Sequence, residues 1–171
     1  MNISEKYTNE EWKIISSLPQ SIGGIMASAG FSGLIGSGKE MFASVQGIMS
    51  GKKEYADNTL IQSIIPDVTD RSKAMETAKE QREFLMNRIK ENNIKSSEQL
   101  RDLILGDAKK VIELIEAKES PEDVSQFKKW VLDVAESVAN AAKEGGFLGF
   151  GGERFSEKEH QLYDKLKNIL S

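Results

Sequence analysis

The stretch GLIGSGKE, Gly33 to Glu40, carries the glycines and the lysine of a phosphate-binding loop. Such a loop leaves a β-strand so that its N–H groups converge on phosphate, and its lysine is followed by a hydroxyl that holds magnesium. Here the preceding IGGIMASAGF has the small-residue spacing of a helix, and Glu40 stands where the hydroxyl belongs. A carboxylate there repels the phosphates. Ser37-x-x-Glu40 is instead a capping box, in which serine accepts a free backbone N–H and glutamate reaches back to the cap. The expectation is a helix start with a solvated Lys39, and no bound nucleotide.

Glu157-x-x-His160 is half of a carboxylate di-iron motif, whose spacing puts both ligands on one helix face. The full site needs a second pair, and His160 is the only histidine in the chain. A surface pairing with Asp164 one turn on is the ordinary account. No metal site is expected. A serine or histidine triad would need that same histidine, and no Gly-x-Ser-x-Gly elbow occurs. Paired-carboxylate chemistry stays open, because acids are abundant and nothing in their spacing singles out two.

The segment GGFLGFGG places Phe147, Leu148 and Phe150 among glycines. Three large apolar side chains on so permissive a backbone either fold back to plug the end of a bundle or form an interaction surface for a partner, a lipid or a sister subunit.

These residues must be positioned by helices. Thr8-x-x-Glu11, Ser96-x-x-Gln99 and Ser156-x-x-Glu159 repeat the capping-box signature, and SPED, Ser120 to Asp123, joins an N-cap serine to a first-turn proline and acids on the helix dipole. The first helix sets Trp12, Ile15, Leu18, Ile22, Ile25 and Ala29 on one side, with Pro19 expected to kink or divide it. Gly23, Ala27 and Gly30 form a small-residue stripe for a close helix crossing, and a turn follows to Gly36. A second helix carries Met41, Val45, Ile48 and Met49 and is expected to stop near Gly51. A third runs through Leu60, Ile61, Ile64 and Ile65.

The span from Asp70 to Asn92 is charged, with Ala74, Ala78, Leu85 and Ile89 as its apolar contacts, and should lie exposed. Leu100, Leu103, Ile104, Ala108, Val111 and Ile115 mark the next helix. Val124, Phe127, Val131, Val134, Val138 and Ala141 form a seam on the one after. Gly145 is expected to end that helix as a left-handed cap, and Leu162, Leu166 and Ile169 belong to the last.

The sequence therefore predicts an all-α fold, an antiparallel bundle of about six to seven helices in a single domain over residues 1–171. Within it, 9–50 is an uncharged, small-residue helix pair, 54–118 holds charged helices, and 120–144 and 156–170 are joined by the glycine-rich loop. A chain of 171 residues with 39% hydrophobic and 29% charged residues is ordinary globular material, able to bury roughly 70% of its unfolded surface. It has no cysteine, which removes disulfides, thiolate metal sites and cysteine nucleophiles. The net charge of −4 arises from mixed signs, so no field for nucleic acid is expected. Acids near the N-terminus, where a secretory leader would carry lysines, point to a cytoplasmic protein. The uncharged run between Lys13 and Lys39 is long enough to cross a bilayer, but its Ser, Gly and Pro content favours a buried helix pair.

An early Glu11-Trp12, Pro19, the small-residue helix, SGKEM, and KEGGFLGFGG followed by Ser-x-x-Glu together resemble a family of small all-helical microbial proteins with no assigned activity. The resemblance implies a fold and a cytoplasmic home, and no catalytic residue. The functional expectation is a non-enzymatic protein acting through protein–protein interaction or self-association, without cofactor. One alternative is a small-ligand-binding protein or enzyme with a carboxylate site in the bundle. Another is reversible membrane association through residues 14–38, which the neighbouring acids Glu10, Glu11 and Glu40 disfavour.

Overall fold

The computed structural model describes residues 3–29, 37–143 and 156–171. Among them are a 3-10 turn, Ile3–Lys6, and seven helices: α1 Asn9–Ala29, α2 Ser37–Glu54, α3 Thr59–Ile64, α4 Arg71–Glu91, α5 Ser97–Glu116, α6 Pro121–Lys143 and α7 Glu157–Leu170. No strand occurs among the described residues. The all-α bundle expected from the capping pattern is the fold observed.

The caps start the helices where the sequence puts them. At Thr8 the two halves of the box measure 2.9 and 3.2 Å. Ser156 and Glu159 form both halves at the head of α7. Ser120 Oγ accepts from Asp123 N at 3.1 Å, one residue before Pro121 opens α6. Ser96 caps Gln99 N, although the Gln99 side chain accepts from Lys95 N and not from the cap itself.

One hydrophobic core draws on nearly every helix. Ile15, Leu18, Ile22 and Ile25 of α1 meet Ile104, Ala108, Val111 and Ile115 of α5 and the seam of Phe127, Val131, Val134 and Val138 on α6, with Leu162 and Leu166 of α7 closing the group. Pro19 does not divide α1, which runs unbroken through it as one element of 21 residues. The proline ring is itself buried, and two residues earlier the Ser17 hydroxyl donates to the Lys13 carbonyl at 2.7 Å.

Helix α2 departs from the expectation. It continues through Gly51 to Glu54, and it presents a different side to the bundle. Of the four apolar residues that mark this helix in the sequence, Met41 and Val45 are 69% and 52% exposed, while Ile48 and Met49 are partly buried. The inward side is Glu40, Ser44, Gly47 and Gly51. The reason is close approach. A Cβ on Gly23 of α1 would stand 2.0 Å from Ser44 Oγ, and one on Gly47 would stand 3.1 Å from the Val134 backbone and 3.2 Å from Ser137 Oγ. Small residues bring α2 so near α1 and α6 that larger apolar ones fit only outside. Gly47 faces Val134 and Gly51 faces Trp130, so α2 and α6 run antiparallel.

Helix α4 is the exposed element anticipated, with no fully buried residue. Its half-buried residues are Ala74, Thr77, Gln81, Phe84, Leu85, Arg88 and Ile89, which include three of the four expected contacts, whereas Ala78, the fourth, is exposed. The Gln81 amide donates to Ser16 O at 3.3 Å, and Arg88 makes a two-pronged pair with Asp107.

Candidate functional site

The glycine–lysine motif lies between α1 and the start of α2. The described element before it is a helix, not the strand that a phosphate loop requires. Gly30 to Gly36 and the side chains of Ser37 and Lys39 lie outside the described residues. So do Gly145, Phe147, Leu148 and Phe150, the interaction surface anticipated from the sequence.

Glu40 is described, and it is not a solvated helix-cap acid. It is 3% exposed, and so is Glu159. Both occupy the first turn of a helix, α2 and α7 respectively. The Glu159 Oε2 atom accepts from Ser156 N at 2.7 Å, but Oε1 of Glu159 and Oε2 of Glu40 have no hydrogen-bond partner. Burial, and then the nearby Glu159 charge, raise the Glu40 pKa above the usual carboxylate value. This pair gives the carboxylate reading a concrete candidate. It is too small for a metal cluster: among the described residues no group of three His, Cys, Asp or Glu is placed to hold an ion. Glu157 and His160 are exposed on the outer side of α7, so their motif builds no internal site.

The outward side of α2 offers a different kind of site. Val45 follows Met41 by four residues and Phe42 by three, and Phe42 is 63% exposed. Three large apolar side chains on one helix face in contact with water are a recognisable binding feature. Phe42 is also the lip of an open groove of about 940 Å³ between α2 and α6. Along α2 the groove is lined by Phe42, Gln46, Ser50 and Glu54, and along α6 by Lys129, Asp133, Glu136 and Asn140.

Its charge is predominantly acidic. Lys129 lies 3.8 Å from Asp133 and donates to the Tyr55 hydroxyl, which itself donates to Asp133 at 2.8 Å. Glu54 and Glu136 form no ion pair with a described residue. Two tyrosines register the field. Burial and then the Asp133 hydrogen bond and charge push Tyr55 up, and burial followed by Glu136 and Asp133 does the same to Tyr163. A second open groove, about 520 Å³, lies between the start of α6 and the end of α7, lined by Glu116, Val124, Lys128 and Leu170 among others.

The sequence places Met41 and Val45 on a helix without showing that they face away from the bundle. The signal that could have corrected this is the spacing of Ser44, Gly47 and Gly51, which forms a small-residue stripe of the same kind as Gly23 and Ala27. Glu40 was recognised only as a cap. That its carboxylate lies within electrostatic range of one from α7 is a tertiary fact.

No helix among the described residues is long and apolar enough to cross a membrane. Compared with protein-family models, curated proteins and solved structures, the chain matches none.

Proposed function

We propose that this protein acts through protein–protein contact, without catalysis of its own, and that α2 is its contact element. The observation that carries the reading is the inversion of α2. Gly47 and Gly51 face the bundle and Met41, Phe42 and Val45 face out. Burying one such side chain in a partner gains about 1.5–3 kcal/mol, so three adjacent ones supply the apolar centre of an interface. The mixed charge of the chain and its lack of cysteine suit a cytoplasmic setting.

The test is a photo-crosslinking amino acid in place of Phe42, introduced in the protein's own cells. An adduct mapped to one defined site on one polypeptide is expected, together with its loss in a Val45→Glu background. Labelling no stronger than at an exposed control position such as Gly24 would overturn the reading.

A further inference from the structure

The groove beside Phe42 has dimensions and charge that define what could occupy it. Along α6 it extends from Lys129 to Asn140, and along α2 from Glu54 to Phe42. At 1.5 Å per residue each wall is about 16–18 Å long, or three helical turns. Because the helices are antiparallel, the apolar end at Phe42 lies with Asn140 and Ala141, and the other end holds Glu54, Lys129 and Asp133, with Glu136 between, so that three acids and one cation line the groove. Lys52 and Lys53, in the same last turn of α2, do not line it.

The complement lies on the same chain. Helix α4 carries six basic and four acidic residues in a chain that is acidic overall. Opposite the stripe that touches α1 and α5 is an outward row of Met75, Lys79, Arg82, Met86 and Lys90, all exposed. The row follows helical steps of four, three, four and four, so its members share one face. Met75 and Met86 are 66% and 45% exposed. They stand eleven residues apart, about 16 Å, which matches the length of the groove, so that one of the two reaches its Phe42 end. The acids Glu76, Glu80 and Glu83 fall on one flank, where Glu83 pairs loosely with Lys79 at 3.9 Å. The row itself holds two apolar anchors and three cations.

We propose that the outward face of α4 in one copy seats in the α2–α6 groove of a second copy, so that the protein self-associates through a basic helix in an acidic, Phe42-rimmed groove. This rests on the reading of α2 as the contact element and specifies its partner as the chain itself. A helix laying apolar anchors into a groove is a general recognition mode, and opposite charge fixes its register. A contact of three turns is at the small end of stable interfaces, so the association should be weak and sensitive to salt.

The experiment is sedimentation equilibrium on the full chain with two charge reversals, Arg82→Glu and Glu136→Arg. Both positions are exposed, so the fold should survive, and circular dichroism checks it. The wild type should show concentration-dependent multiples of 19.0 kDa that dissociate as salt is raised. Each reversal alone should weaken association by about tenfold or more. An equimolar mixture of the two variants should restore it, because each acidic α4 then meets a basic groove and each basic α4 an acidic one. A wild type that stays monomeric, reversals without effect, or a mixture that fails to reassociate would each overturn the proposal. A monomer whose position 42 crosslinks to a different protein would retain α2 as contact element and remove self-docking.

Discussion

The backbone of Gly51 lies directly against the indole of Trp130: a Cβ at that position would stand 2.5 Å from Nε1 and 3.0 Å from Cδ1. Trp130 cannot give way. It is fully buried, and it packs edge-on against Phe127 with ring centroids 6.0 Å apart. Gly51→Ala should therefore cost about 1–3 kcal/mol, the usual penalty for overpacking a filled site. Urea denaturation should show a lower midpoint with an unchanged slope. A neutral substitution would mean that α2 does not approach α6 this closely, and the reason for the outward Phe42 would go with it.

Gly24 in α1 and Gly106 in α5 are the opposite case, since a Cβ at either meets nothing within 4 Å. Alanine removes backbone freedom from the unfolded chain and adds helix propensity, so Gly24→Ala and Gly106→Ala should each stabilise by about 0.5–1 kcal/mol. Measured beside Gly51→Ala, they separate the intrinsic effect of glycine in a helix from the effect of contact. Destabilisation at both open sites would contradict the packing described.

What the sequence makes legible follows from how local the signal is. Capping boxes at Thr8 and Ser156 depend on residues three apart, and both form as spelled. The apolar seams of α1, α5 and α6 are similarly periodic, and they are the core. Helix α2 is less legible because two patterns compete on it. Met41 and Val45 ask for burial, while Ser44, Gly47 and Gly51 ask for close approach. Only the partner surface decides, and here Gly23 of α1 and Val134 and Trp130 of α6 are the surfaces against which Ser44, Gly47 and Gly51 rest. Asn58 was equally invisible as a link: its Oδ1 caps Ile61 N while its amide donates to Asp123 O and Gln126 Oε1, tying α3 to the head of α6.

The buried carboxylate of Glu40 makes stability depend on pH in a direction that can be worked out. Its pKa is raised by burial and by Glu159, so the folded protein holds the proton more tightly than the unfolded chain. Its contribution is fully present below the ordinary carboxylate pKa and is lost as pH rises through the raised value. Glu40→Gln imitates the protonated form and can still serve a capping box. The variant should be at least as stable as wild type at pH 7, and the gap should close toward pH 4. Melting temperatures across that range would show it, and a Gln variant less stable at pH 7 would mean that the ionised carboxylate has a favourable partner.

Helix α4 depends on a single strong anchor at its C-terminal half. Arg88 grips Asp107 of α5 with both nitrogens, Nη2 to Oδ1 at 2.8 Å, and its guanidinium lies 5.7 Å from the centre of the Phe84 ring. The two side chains are only 18% and 10% exposed, so removing one leaves the other charge nearly dry. Breaking a fully buried pair costs about 3–5 kcal/mol, and this one, at the edge of the bundle, should cost about 2–3 kcal/mol in Asp107→Ala. The first half of α4 has little to hold it apart from half-buried Ala74 and Thr77 and the Gln81 bond to Ser16. Loss of the anchor should therefore free the helix before it disturbs the core. Hydrogen exchange should accelerate across Arg71–Glu91 in the variant, while the buried stretches of α1 and α6 keep their protection. Exchange that rises evenly across all helices would show instead that α4 is a cooperative part of the bundle, and its outward row of Met75, Arg82 and Met86 would then be fixed by the whole fold.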